Sequence, residues 1–434
     1  MIFNKKISIL HSNSKKAMYF LINSEASKQS LIMTAGNFIT AAIMGLTMIV
    51  LSRFIGPSQF GIFSVGMSLM FIFTKFVDAG LDQLIPRFLG IWNNEADKKR
   101  IFLAYVLWWK ILFGGLLLLA GLISVNWLSK MLNYPYPSMI IYSVLGAILF
   151  ALYNYVYMVL SAQHKFIQVG VLSVAQALFK AISFILIIWL WSSNLEAITL
   201  SYYLAPFIMA LIFLVFFNND LFVRPSLIKN EETREINRFW GHAAFGVLML
   251  TLIANIDVLL VQKYLDSFST GIYAGAIKIS SFIGMLTASI GGVLNNRVSR
   301  YKDKSTLMLY LKKSTVLIAF AVVGFLLFLP LSKAFVAYTI GPEYLSGVSA
   351  LILLVLNAFL SMLLIPLAAI FYSVDEPSYF SINGIIQVIV IFSVSLLFLP
   401  QFGIMAVAWS RVFATLVSLF YTLICLKVIL KKIK

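Results

Sequence analysis

Eight charged side chains lie within otherwise apolar stretches of this 434-residue sequence: Lys75, Lys110, Lys180, Lys278 and Arg411, with Asp78, Asp82 and Asp257. A charge at the centre of a membrane-crossing helix costs about 2.5–3.5 kcal/mol on insertion scales, so such groups face a water-filled cavity or one another. Lys75, Asp78 and Asp82 are spaced i, i+3, i+7 and share one helix face. The pattern fits a substrate site or an intrahelical ion pair that neutralises itself. Asp257, Lys278 and Arg411 fall at a similar depth, roughly 9–12 Å below one membrane boundary at 1.5 Å per residue. On depth alone, Asp257 is expected to pair with Lys278. Cations outnumber anions in this set, which suits an anionic ligand such as a pyrophosphate, with Lys and Arg as partners for phosphate oxygens.

Covalent chemistry has little to work with. The single Cys425 rules out a disulfide framework, and His11, His164 and His242 are too scattered for a metal centre. There is no nucleophile–base pair or glycine-rich phosphate loop, so no cofactor is expected. Two uncharged stripes occur at helical spacing: Asn37, Thr40 and Thr47, then Ser173, Gln176 and Ser183 around Lys180. Stripes of Ser, Thr and Gln commonly hold helices together, but that role needs no ammonium, which sets Lys180 apart. Tyr153, Asn154, Tyr157 and Ser161 suit stacking on a sugar ring or plain aromatic packing.

The elements that must position these groups follow from composition. Apolar residues make up 61% and charged residues 11% of the chain, against about 25% charged in soluble domains. The apolar residues fall in runs of about twenty, the length that crosses a hydrocarbon core of about 30 Å. Twelve spans result: 31–54, 60–85, 101–125, 138–162, 166–190 and 198–217, then 240–263, 270–293, 312–336, 347–371, 379–399 and 403–427. Segment 1–30 reads as a cytosolic arm able to lie on anionic headgroups, 31–217 as one six-helix lobe, 218–239 as a cytosolic linker, 240–427 as a second lobe and 428–434 as a tail. The formal charge of +17 raises nucleic acid as a partner, but its distribution argues against one. Of the 33 Lys and Arg, 24 fall on the side of both termini and four (Arg53, Lys130, Lys263, Lys333) on the other. That bias places the termini in the cytoplasm.

A shift of 210 residues superimposes parts of the two halves. Arg53 falls on Lys263, Gly61-Ile62-Phe63 on Gly271-Ile272-Tyr273, Arg87 on Arg297 and Gly36 on Gly246. Six helices return the chain to its starting side, so the repeats run parallel, related by an axis along the membrane normal with substrate sites at their interface. The fold class expected is therefore all-α integral membrane, about twelve transmembrane helices in two six-helix lobes.

The stretch Arg53-Phe54-Ile55-Gly56-Pro57-Ser58-Gln59-Phe60-Gly61 resembles the R-x-L-G-P-x-x-Y-G signature of bacterial polysaccharide transporters. Asp78-Ala79-Gly80-Leu81-Asp82-Gln83 with Arg87-Phe88 looks like the end of their second helix. Gly271-Ile272-Tyr273 through Arg297-Val298-Ser299-Arg300 resembles their eighth, with Asn296-Arg297 in place of the usual Phe-Pro-Arg. The resemblance implies a Wzx-type oligosaccharide flippase with a MATE-like fold, in the superfamily of drug/cation antiporters and lipid II flippases. It implies a substrate of undecaprenyl pyrophosphate carrying an O-antigen or capsule repeat unit, and a bacterial inner membrane with its lipids around the protein. A polysaccharide polymerase and a chain-length regulator are implied as further partners. It also implies a central cationic cavity lined by spans 1, 2, 7 and 8, which ranks Arg53, Lys75, Asp78, Asp257 and Lys278 first. Arg87 and Arg297 would attract the pyrophosphate at the mouth, Lys75, Lys180 and Lys278 would bind it, and Arg53 with Lys263 would control release. Two other functions fit the sequence less well. A drug or cation antiporter of the same fold favours an acid-dominated cavity, and a membrane polymerase or ligase needs a sizeable outer loop that the sequence lacks.

Overall fold

The computed structural model of the chain describes residues 25–92, 95–191, 194–217, 230–298, 303–374, 376 and 378–432. Segment 1–24, most of the linker (218–229) and 433–434 lie outside the described residues. The first helix, α1 (Glu25–Asp78), is two arms meeting at Gly56, whose φ of 74° and ψ of 169° break the helical run just before Pro57. Glycine reaches a positive φ without strain, and proline suits the first turn of the arm that follows. A 3-10 turn (Leu81–Gln83) and the short α2 (Leu84–Ile91) come next, followed by α3 (Ala96–Met131), α4 (Pro137–Ala162), α5 (Phe166–Trp191) and α6 (Leu195–Phe217). The second half holds α7 (Asn230–Tyr264), α8 (Ser267–Val298), α9 (Lys304–Ser314), α10 (Val316–Thr339), α11 (Val348–Ser373), α12 (Ser378–Phe402) and α13 (Ile404–Lys432).

Among the described residues, ten stretches are long and apolar enough to cross a membrane. One of them, Ala35–Asp78, is the folded pair of α1 arms, and α8 is a further helix of 32 residues outside the ten. Counting both arms and α8 gives twelve crossing helices, as the apolar runs predict. Three boundaries differ. The second span stops at Asp78, not 85, because Ala79 (φ 44°) and Gly80 (φ 79°) turn left-handed. The linker's end is helical: α7 starts at Asn230, where polar Glu231–Arg238 hides a helix from a hydropathy reading. The ninth span is preceded by α9, separated from α10 at Thr315.

The interior divides in an informative way. Toward the ends that carry Arg53 and Lys263, one core draws on both halves, including Phe60, Phe63 and Tyr203 with Tyr273, Tyr344 and Leu351. Toward the opposite ends there are two separate cores. One belongs to the first half (Leu84, Phe88, Phe102, Val159) and takes in Ile236 from the start of α7. The other belongs to the second half (Val298, Leu307, Phe371, Tyr379). The halves thus share a core at one end and have separate cores at the other, where the start of α7 bridges them: Ile236 and Trp240 pack on the first half and Trp240 Nε1 donates to the Ala79 carbonyl.

The repeat is visible where the halves meet. A Cβ on Gly61 would lie 1.9 Å from the Ser267 carbonyl oxygen, and one on Gly271 would lie 1.8 Å from that of Pro57. Both pairs are exchanged by the 210-residue shift, so the two glycines sit across the pseudo-two-fold axis with α1 and α8 in backbone contact. Only residues without a side chain permit that approach.

Candidate functional site

The charged side chains resolve into two closed clusters, two separate lysines and three arginines nearer the helix ends. In the first half, α3 brings Lys110 to the end of α1, where its Nζ lies 2.8 Å from Asp78 Oδ1 and 2.7 Å from Asp82 Oδ1. All three are buried. The Asp82 amide also donates to Asp78 Oδ1 at 3.0 Å. Lys75 sits at the rim, 3.7 Å from Asp78 Oδ2 with about a quarter of its side chain exposed. The intrahelical pairing expected from the i, i+3, i+7 pattern is limited to the 3.7 Å Lys75–Asp78 contact; Asp82 lies in the 3-10 turn past the helix end, and Lys110 supplies the main counter-charge from another helix.

In the second half, Asp257 does not pair with Lys278. Its Oδ2 accepts from Arg411 Nε at 2.6 Å and from the Tyr273 hydroxyl at 2.7 Å, while Oδ1 accepts from the Val258 amide at 2.9 Å. Arg411 NH2 reaches the Ile253 and Ala254 carbonyls, each at 3.3 Å. Equal depth was the right clue for Arg411 and the wrong one for Lys278, because depth says nothing about which face a helix turns to its neighbour. The Asp257 cluster clamps α7 between α8 and α13. Tyr273 is a site residue that the sequence reading passed over, and its position at the start of the second glycine motif was the available signal.

Lys278 points elsewhere. With Ser64, Ser68 and Asn255 it lines a cavity of about 50 Å³ between α1, α7 and α8, completed by apolar residues such as Met67 and Ile277. Three pairs in this lining are related by the repeat shift: Ser64 with Ala274, Met67 with Ile277 and Ser68 with Lys278. The cavity therefore lies on the pseudo-two-fold axis, at the floor of the region where the two halves separate. Ser64 Oγ is buried with no hydrogen-bond partner, and among the described residues Lys278 has no ion-pair partner. At about 10–15 Å³ for one water, the space holds a few waters or one small anionic group.

Lys180 is nearly fully buried inside the first half. Its Nζ is 3.9 Å from the centre of the Tyr202 ring and 5.8 Å from that of Phe150, close enough for cation–π attraction. Phe150 in turn packs edge-on against Phe71 of the cavity wall, 5.9 Å between centroids. The structure thus places Lys180 behind an aromatic layer, not in the cavity. Arg87, on α2, is exposed with its guanidinium 6.0 Å from the Phe88 ring. Arg297 belongs to the last turns of α8, and its side chain lies outside the described residues.

Arg53 belongs to a set of contacts that tie the halves together. Its NH1 donates to the Tyr338 carbonyl at 3.1 Å, and the Tyr344 hydroxyl donates to the Ser52 carbonyl at 2.8 Å. Asn133 Nδ2 donates to the Lys263 carbonyl at 2.8 Å, and Gln262 Nε2 to the Asn133 carbonyl at 3.0 Å. Ser52 with Gln262 and Arg53 with Lys263 are again repeat partners, so each half reaches the other from equivalent places.

A family model described as polysaccharide biosynthesis protein matches residues 26–295. No curated protein matches the chain. Among solved structures, the lipid II flippase MurJ in its inward closed conformation has a TM-score of 0.75 at 14% identity, covering 92% of this chain and 87% of that one. The inward-facing conformation of a multidrug resistance MATE family transporter of the MOP superfamily scores 0.73 at 13% identity, over 90% and 96%. An outward-facing conformation of a MATE family transporter scores 0.62 at 14% identity, over 96% and 99%. The chain belongs to the polysaccharide biosynthesis protein family and has the two-lobed, all-α membrane fold seen in MurJ and the MATE transporters.

Proposed function

We propose that this protein is a flippase that carries undecaprenyl-pyrophosphate-linked oligosaccharide repeat units, of O-antigen or capsule type, across the bacterial inner membrane by alternating access. The observation that carries the reading is Lys278, without an ion-pair partner among the described residues, on the axis between two lobes, 31–217 and 240–427, that share a core at one end and have separate cores at the other. The excess of Lys and Arg assigns the end with separate cores and both termini to the cytoplasm. Arg87 and Arg297 then stand at the entrance, and the Arg53, Tyr344 and Asn133 contacts close the far side. The pyrophosphate enters from the cytoplasm and meets Lys278, with Lys75 at the rim of the acidic cluster, while the lipid tail stays in the bilayer. Asp78 and Asp257 with Arg411 hold the walls. A polymerase and a chain-length regulator would receive the product on the far side.

An antiporter of drugs or cations needs an acid free to bind its cargo. The membrane-embedded acids here, Asp78, Asp82 and Asp257, are each held by Lys110 or Arg411 at 2.6–2.8 Å, which favours the flippase. The test is deletion in the native host with return of wild type or Lys278→Ala at matched membrane levels. Loss of surface polysaccharide with lipid-linked units accumulating on the cytoplasmic leaflet supports the reading. Unchanged polysaccharide with reduced drug efflux replaces it.

A further inference from the structure

The helix α9 plays no part in the site, yet it is built with care. Asp303 caps it, its carboxylate accepting from the Thr306 amide at 2.9 Å and from the hydroxyls of Ser305 and Thr306. Leu307 and Tyr310 anchor its inner face in the core of the second half. Its outer face exposes Met308 and Leu309, each about half exposed, together with Lys304, Lys312 and Lys313. Apolar side chains flanked by cations on one exposed face are the pattern of a helix lying at a membrane interface. Along this face and up to Thr315, an open depression of about 580 Å³ is lined by Met308, Leu309, Leu311, Lys312 and Thr315.

Size, polarity and charge together narrow the occupant. The lining is apolar except for one ammonium and one hydroxyl, so the body of the ligand must be hydrocarbon. Among the described residues Lys304, Lys312 and Lys313 have no carboxylate partner, and Asp303, the nearest acid in sequence, is committed to its cap. Lys427 and Lys431 of α13 are also exposed beside the same core, where Leu426 and Leu430 pack. Cations near the headgroup layer are attracted to anionic lipid. We propose that the exposed face of α9 is a binding site for an anionic phospholipid, with an acyl chain in the depression beside Met308, Leu309 and Leu311 and the phosphate at Lys312, Lys313 and Lys304. The inference does not depend on what the protein transports. It does bear on the far side: α10 is mostly exposed along its length, and near its end Arg53 holds the Tyr338 carbonyl.

The experiment uses the full chain, purified in detergent with equal amounts of phosphatidylglycerol and phosphatidylcholine and examined by native mass spectrometry. Wild type is expected to retain phosphatidylglycerol several-fold over phosphatidylcholine, and the Lys304→Gln/Lys312→Gln/Lys313→Gln variant to lose that preference with an unchanged melting temperature. A second variant, Met308→Ser/Leu309→Ser, is expected to retain less of both lipids. Equal retention of the two lipids by wild type, or an undiminished preference in the triple variant, would overturn the proposal.

Discussion

Placing one methyl group at Gly61 brings a Cβ to 1.9 Å from the Ser267 carbonyl oxygen, where ordinary contact begins at about 3.4 Å. The obstacle is backbone, so no rotamer change relieves it, and α1 and α8 must part by about 1.5 Å. Overpacking of this kind costs about 1–3 kcal/mol. The cost falls on the state in which the Arg53 ends are joined, because the two glycines touch only across the lobe boundary. With 1.4 kcal/mol equal to a factor of ten, the joined state should lose between about five- and 150-fold in population relative to its alternative. Spin labels on exposed Lys130→Cys and Lys333→Cys in a Cys425→Ser background report the lobe separation there by double electron–electron resonance. Wild type should give mainly a short distance, and Gly61→Ala or Gly271→Ala a second, longer one. Gly284→Ala is the control, since a Cβ there meets nothing within 4 Å. A folded Gly61→Ala protein whose distance distribution matches wild type would refute the backbone contact and the closed end built on it.

Four further outcomes follow from the site. Lys278→Ala should abolish transport without lowering the melting temperature, because the ammonium supports no partner among the described residues; a large loss of stability would show it to be structural. Lys110→Ala leaves Asp78 and Asp82 buried without their ammonium and should cost about 3–5 kcal/mol, whereas Lys75→Ala at the half-exposed rim should cost less than about 1 kcal/mol, as thermal unfolding in detergent would resolve. Asp257→Asn should destabilise more than the double variant Asp257→Asn/Arg411→Gln, since only the single change strands a buried guanidinium; additive losses would contradict the clamp. Hydroxyl and amide donors hold the Asp303 carboxyl down to about 2, so its capping contribution is complete above the ordinary value of 3.8 and disappears as pH falls through about 2. Hydrogen exchange at Ser305–Leu307 should therefore stay slow at pH 4, and Asp303→Ala should make it fast at every pH.

Much of the frame could be read from the chain. Apolar runs of about twenty residues located all twelve crossing helices, and a handful of matches at a shift of 210 foretold that Gly61 and Gly271 are equivalent. The repeat could not foretell that they touch, because a shift relates positions and says nothing about distance from the axis. Tyr134 and Tyr344 are another matched pair, each hydroxyl 2.8 Å from a backbone carbonyl of α1. They escaped notice because each is a lone tyrosine in a polar turn. Charge partners were harder. Hydropathy and depth fix where a residue sits along the membrane normal, but pairing needs the rotation of each helix about its own axis. Asp257 sees Arg411 and Tyr273, and Lys110 reaches Asp78, for that reason alone. Lys180 stands out in the sequence as an ammonium that helix packing does not need, but the aromatic faces from α4 and α6 beside it are invisible to a single-helix reading.

The repeat also explains why the chemistry is lopsided. Gly61 must match Gly271 and Ser52 must match Gln262 because both halves close the same seam, and a seam on an axis demands equivalent surfaces. A ligand on that axis makes no such demand. Lys278 faces the place its partner Ser68 occupies, and Asp257 corresponds to Thr47, so the second half supplies the charge while the first supplies hydroxyls. Two lysines at the equivalent positions would bring like charges together in a cavity of about 50 Å³, at a steep cost in a medium of low dielectric. One cation on the axis avoids that repulsion and still presents a single positive centre to whichever side the lobes open. Ser68→Lys is accordingly the substitution that should force the lobes apart at the cavity even when no ligand is present, and Ser68→Lys with Lys278→Ser should restore the wild-type separation by returning one charge to the axis. If the double variant stays as displaced as the single, the two positions are not equivalent and the axis does not run through the cavity.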